Sequence, residues 1–115
     1  MELTGSLTER RFRSNLRKLQ YVLIDHPRRD DMIEAVTGIA GAKPGLFVLD
    51  SFPDNGGDHF VLLVNDDQIV ELDAARSDKS PIVIGGTVPL KKFTRKLSLI
   101  NKIMVAVALD MQGQF

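Results

Sequence analysis

The sequence predicts a single α+β domain over residues 1–115: two N-terminal helices, a mainly antiparallel sheet of four to five strands, and one further helix before the last strand. Three observations lead there. Apolar residues recur every three or four positions through the first forty residues. The pattern then changes to short apolar runs separated by turn-forming residues. One more helical stripe follows, and after it an alternating run.

Ser6-Leu7-Thr8-Glu9 matches a capping box, in which the serine and the glutamate each satisfy an orphan backbone donor. The helix after it extends to about Ile24, with Phe12, Leu16, Leu19 and Leu23 on one face. Pro27 ends it, and His26 beside that end suits a helix C-terminal dipole. A second helix is expected over Asp30–Ala40, burying Met32, Ile33, Val36, Ile39 and Ala40. Gly41 and Lys43-Pro44-Gly45 stop it.

Leu46–Phe52 reads as a strand, and Asp54-Asn55-Gly56-Gly57 as a turn or loop. His59–Val64 and Gln68–Asp73 read as a hairpin across Asn65-Asp66-Asp67. Ser80–Ile84 is a further short strand, broken by Gly85-Gly86. Pro89 opens the third helix, where its missing N–H costs nothing. Leu90, Phe93, Leu97 and Ile100 form its stripe. Ile103–Leu109 is apolar on both alternating faces and is expected as a central strand. The tail, Gln112–Phe115, is expected to fray.

A chain of 115 residues with 43% apolar content is large enough for a core without crosslinks. It holds no cysteine, which excludes disulfides, thiolate zinc sites and a cysteine nucleophile. The apolar runs are too short to span a membrane, and the N-terminus has no signal-peptide pattern, so the expected location is cytoplasmic. The 15 basic and 15 acidic residues balance but are not evenly spread. Basic residues cluster in the first helix and around the third, and acidic residues fill Asp30–Lys79. Neutral net charge, no tryptophan and one tyrosine, Tyr21, argue against nucleic acid. His26 and His59 are too far apart in sequence to make a metal motif. Asp66, Asp67, Glu71 and Asp73 do not follow calcium-loop spacing. No cofactor and no metal are expected.

The functional candidates are His59 and Asp73. If Val64 pairs with Gln68, His59 falls opposite Asp73, within reach of an imidazole–carboxylate hydrogen bond. A slip of one residue turns Asp73 to the other face. A histidine oriented by an aspartate is the base half of a nucleophilic site.

Asp58-His59-Phe60-Val61-Leu62-Leu63-Val64, Val70-Glu71-Leu72-Asp73-Ala74-Ala75-Arg76 and Ser80-Pro81-Ile82 with Gly85 resemble the second half of ubiquitin C-terminal hydrolases, a papain-like cysteine protease family. Val105–Leu109 resembles that family's final strand. The resemblance covers about half of the chain. It implies that His59 is the catalytic-type histidine and Asp73 the residue that orients it. The sequence departs from the family at Ala74, where the family has glycine, and at Ala75, which is inserted. It has no counterpart of the nucleophile helix or of the upstream glutamine. Three functions are compatible with this. The first is a papain-like hydrolase-related domain without a cysteine nucleophile that binds a protein or peptide near His59 and Gly56-Gly57. The second is a small bacterial partner-binding protein, an immunity protein or secretion adaptor, with an acidic patch of Asp54, Asp58, Asp66 and Asp67. The third is a thiol hydrolase whose cysteine was replaced at Ala35, Ala40 or Ala42. Thr37 and Ser51 are the hydroxyl candidates for a nucleophile.

Overall fold

Helix α1 (Leu7–Ile24) and helix α2 (Arg29–Ala40) come first in the computed structural model, which describes residues 7–42, 44–77 and 80–112. Four strands follow: β1 (Leu46–Asp54), β2 (Gly57–Val64), β3 (Gln68–Ala75) and β4 (Val83–Pro89). Two helices close the chain, α3 (Leu90–Arg95) and α4 (Leu99–Gln112). Ser6 of the capping box, Lys43, Asp78, Lys79 and the tail residues 113–115 lie outside the described residues. The α+β class, the two leading helices and the antiparallel four-stranded sheet agree with the expectation.

The end of the chain does not. Ile103–Leu109 lies within α4, so among the described residues no strand follows that helix, and α1 and α2 are the helices that precede β4. The predicted third helix is also two pieces, broken at Lys96–Ser98. Ser98 Oγ accepts the backbone N–H of Asn101 and caps the start of α4. A run that is apolar at every position fits a buried helix face as well as a central strand. Val107, Ala108 and Met111, spaced for one helical face, are the residues buried against the sheet.

The sheet is a simple meander in the order β1-β2-β3-β4, antiparallel throughout. The β1–β2 hairpin closes through Asn55 and Gly56, at φ of 47° and 80°, the two positive values a type I′ turn requires. Asp54 therefore pairs with Gly57. A Cβ on Gly57 would sit 2.5 Å from the carbonyl oxygen of Ala74, so only glycine lets β2 and β3 close here. The β2–β3 turn uses positive φ at Asn65 and Asp66. It is held from outside: the Gly45 N–H donates to Asn65 Oδ1 and Asn65 N–H donates to the Gly45 carbonyl.

Each sheet face has its own core. Val48, Phe60, Leu62, Val70 and Leu72 pack against Met32 and Val36 of α2 and Leu23 of α1. Phe47, Leu49, Leu63 and Ile69 pack on the other face against Leu16 of α1 and Val107, Ala108 and Met111 of α4. Each fully buried Val, Leu, Ile, Phe or Met side chain among them contributes roughly 1.5–3 kcal/mol. Helix α1 feeds both cores because it runs along the edge of β1. There the Gln20 amide accepts the Val48 N–H at 2.8 Å and donates to the Val48 carbonyl at 2.9 Å, as a neighbouring strand would. Among the described residues, no helix is long and apolar enough to cross a membrane.

Candidate functional site

Helix α4 covers only part of its sheet face, and the uncovered end carries the chemistry. Val64 pairs with Gln68, so His59 lies directly opposite Asp73. The row continues to Phe52 on β1 and Val83 on β4. His59 Nδ1 is 2.9 Å from Asp73 Oδ1, the pairing the sequence register required. Its Nε2 lies 3.5 Å from Glu71 Oε1. Phe52 stacks on the imidazole with centroids 4.9 Å apart and planes at 29°. Phe52 and Val83 are 46% and 55% exposed, so the row is open to solvent at both ends. The His59 side chain itself is 17% exposed.

Burial alone lowers the His59 pKa. The hydrogen bond and charge of Asp73, with a smaller contribution from Glu71, outweigh it and leave the pKa raised above 6.5. His59 thus holds its proton to higher pH than a free imidazole.

Two residues named in the sequence for other roles, Asp54 in an acidic patch and Glu71 in a calcium-loop comparison, complete this surface. Asp54 sits one pair further along the same face, beside the space left by Gly57. One ligand atom each from Asp54, His59 and Asp73 lies within 4.8 Å of the others. Reading Asn55-Gly56 as a two-residue turn, rather than part of a loop, is the sequence signal that places Asp54 there. Glu71, two residues before Asp73, shares its face and lines the adjoining cleft. That cleft has a volume of about 390 Å³ between the sheet and α1, α3 and α4. Its walls are mainly apolar (Phe12, Leu19, Val61, Phe93, Met104), with Asn15, Asp50, Glu71 and Asn101 as polar groups.

Among the described residues lining the cleft there is no Ser, Thr or Lys, and the chain has no cysteine. Ser51 pairs with Phe60 and so belongs to the opposite face. Helix α2, expected to offer Thr37 or a replaced cysteine at Ala35 or Ala40, also packs on the opposite face, over Phe60 and Leu62. Thr37 Oγ1 donates to the Ile33 carbonyl of its own helix.

The opposite face holds a second pair. His26, expected to cap α1, instead reaches across to Asp58, Nε2 to Oδ2 at 2.9 Å. The Arg28 backbone N–H donates to His26 Nδ1, which leaves Nε2–H to donate to the carboxylate. His26 and Asp58 side chains are 6% and 18% exposed, and Arg76 also contacts Asp58. Burial raises the Asp58 pKa, but the His26 hydrogen bond and then Arg76 outweigh that and leave it lowered. Arg28, itself buried, donates to the Ala75 carbonyl. These contacts pin the α1–α2 corner to the sheet.

The expected four-aspartate patch is divided. Asp54 and Asp58 lie at one end of β2, and Asp66 and Asp67 follow its other end. Seven residue steps of strand separate Gly57 from Val64, roughly 23 Å. No family model matches the chain, and neither a curated protein nor a solved structure matches it.

Proposed function

We propose that this is a non-catalytic binding domain, related to papain-like hydrolases, whose cleft beside His59 holds a segment of a protein or peptide partner. The observation that carries the reading is the continuity at Glu71. Its carboxylate lines the apolar cleft and also approaches His59. An apolar pocket with a few convergent polar groups is the usual form of a recognition site. The chain has no cysteine, the nucleophile of that family, which argues for binding over thiol-based acyl transfer. Asp50 and Glu71 at the cleft favour a partner segment with an apolar side chain next to Lys or Arg. Cytoplasmic residence belongs to the same proposal, as does the exclusion of nucleic acid and of membrane partners.

Fluorescence anisotropy with labelled peptides tests it. Peptides pairing Leu or Phe with Arg are expected to bind in the micromolar range, and matched peptides with Glu in place of Arg to bind at least about tenfold more weakly. Val61→Trp, which fills the cleft, abolishes binding. Equal binding of both peptide sets, or unchanged binding by Val61→Trp, overturns the proposal.

A further inference from the structure

We infer that Asp54, His59 and Asp73 form a binding site for one divalent transition-metal ion. The inference does not rest on the peptide-binding reading. The three side chains come from β1, β2 and β3, and their ligand atoms already lie within 4.8 Å of one another. Ligands on a tetrahedral ion with bonds of about 2.0–2.2 Å sit roughly 3.3–3.6 Å apart, so small carboxylate rotations complete the site. The backbone beneath is fixed by paired strands and a tight turn, and Gly57 places no side chain between Asp54 and His59.

Three further features fit an ion rather than a solvated acidic surface. The Asp54 side chain is exposed and has no hydrogen-bond or ion-pair partner among the described residues, so the contact an ion replaces is the His59 Nδ1–Asp73 hydrogen bond. The nearby arginines are committed elsewhere: Arg76 to Asp58 on the other face, Arg28 to Asp31 and the Ala75 carbonyl. Finally, the histidine has an outer carboxylate. With Nδ1 turned to the ion, Nε2–H faces Glu71 Oε1 at 3.5 Å. Metal-bound histidines almost always give their second N–H to such a group, which sets the tautomer and strengthens the ligand.

The donor set decides the ion class. One imidazole nitrogen with two carboxylates suits Zn²⁺, Mn²⁺, Fe²⁺ or Co²⁺ and gives Ca²⁺ and Mg²⁺ little advantage. Three protein donors leave at least one position to solvent.

Isothermal titration of the full chain with zinc chloride, and with magnesium chloride for comparison, tests the site. Zinc is expected to bind at one ion per chain, with magnesium at least about a hundredfold weaker. Asp54→Asn and His59→Gln each weaken zinc by more than about tenfold, and Glu71→Gln by about tenfold through the outer contact. Asp66→Asn, at the far end of the sheet, leaves affinity unchanged. Asp54 is exposed, so its variant keeps the test valid if His59→Gln misfolds. Backbone amide shifts on adding zinc should centre on residues 54, 59 and 73. No saturable zinc binding, or binding undiminished in Asp54→Asn, overturns the inference.

Discussion

Asp58 and His59 are neighbours on β2, yet each belongs to a separate imidazole–carboxylate pair on opposite faces of the sheet: Asp58 to His26 at 2.9 Å, His59 to Asp73 at 2.9 Å. The alternation of a strand makes this unavoidable. It also divides the work. The His26 pair is enclosed and ties a helical corner to the sheet. The His59 pair lies beside a cleft and an exposed aspartate. The two therefore respond differently to pH and to mutation.

The His59 pair makes stability depend on pH above about 6.5. Its pKa is raised above 6.5 on folding. The folded state therefore binds the proton more tightly, and the gain is complete below about pH 6.5. It is lost as pH rises through the higher folded pKa. Urea unfolding from pH 6 to 9 should show stability falling over that window, and His59→Gln should flatten the fall. A wild-type curve that rises through the window contradicts the assignment.

The Asp58 pair acts on the acid side. The Asp58 pKa is lowered from 3.8, so its stabilisation is present above pH 3.8 and disappears as pH falls through the folded value. Asp58→Ala leaves the buried His26 Nε2–H without its acceptor and should cost about 1–3 kcal/mol at pH 7. Asp58→Asn keeps an acceptor and should cost less, while removing this part of the acid transition. Equal losses for the two variants in urea unfolding would show that the contact is not what Asp58 contributes.

The His59–Asp73 pairing was legible because Gln68 follows the three-residue turn Asn65-Asp66-Asp67, and the register set there carries to the far end of both strands. The place of Asp54 beside His59 and Asp73 was not legible because Asp54–Gly57 reads as a loop unless Asn55-Gly56 is taken as a type I′ turn. Its place opposite Gly57 follows from that turn alone. The His26–Asp58 pair was not legible for another reason. The contact spans 32 positions, and a side chain reaching from a helix corner leaves no local pattern. The α1 and α2 stripes were legible because polar positions interrupt them. Ile103–Leu109 has no such interruption, so periodicity favoured neither state, and its β-branched residues tilted the reading toward a strand.

The overlooked local signal at that end was Ser98. Its Oγ caps α4 by accepting the Asn101 N–H. Ser98→Ala should therefore destabilise the domain by about 1 kcal/mol, and Ser98→Asp should be close to neutral. If residues 103–109 formed a strand instead, Ser98 would precede it in a loop, and the alanine change would be nearly silent. Thermal unfolding of the two variants, with carbon chemical shifts over 99–112, separates these outcomes.

Gln20 is the least conspicuous structural residue, a polar side chain in the middle of α1, yet it is buried and closes the edge of β1. Val48 is fully buried, and both of its backbone groups pair with the Gln20 amide. An unpaired strand edge costs stability when water cannot reach it and invites association when water can. Gln20→Ala orphans the N–H and the carbonyl together, each worth about 1–3 kcal/mol when buried. It should therefore be among the more damaging substitutions in α1, comparable to truncating Leu16. Gln20→Glu keeps an acceptor for the Val48 N–H but sets a carboxylate against the Val48 carbonyl, so it should be better tolerated at pH 4 than at pH 7. Hydrogen exchange reports the same contact directly. The Val48 amide is expected to be strongly protected in the parent chain and to exchange far faster in Gln20→Ala, while amides in the β2–β3 pairing keep their protection. An unprotected Val48 amide in the parent chain would mean that α1 does not dock on this edge.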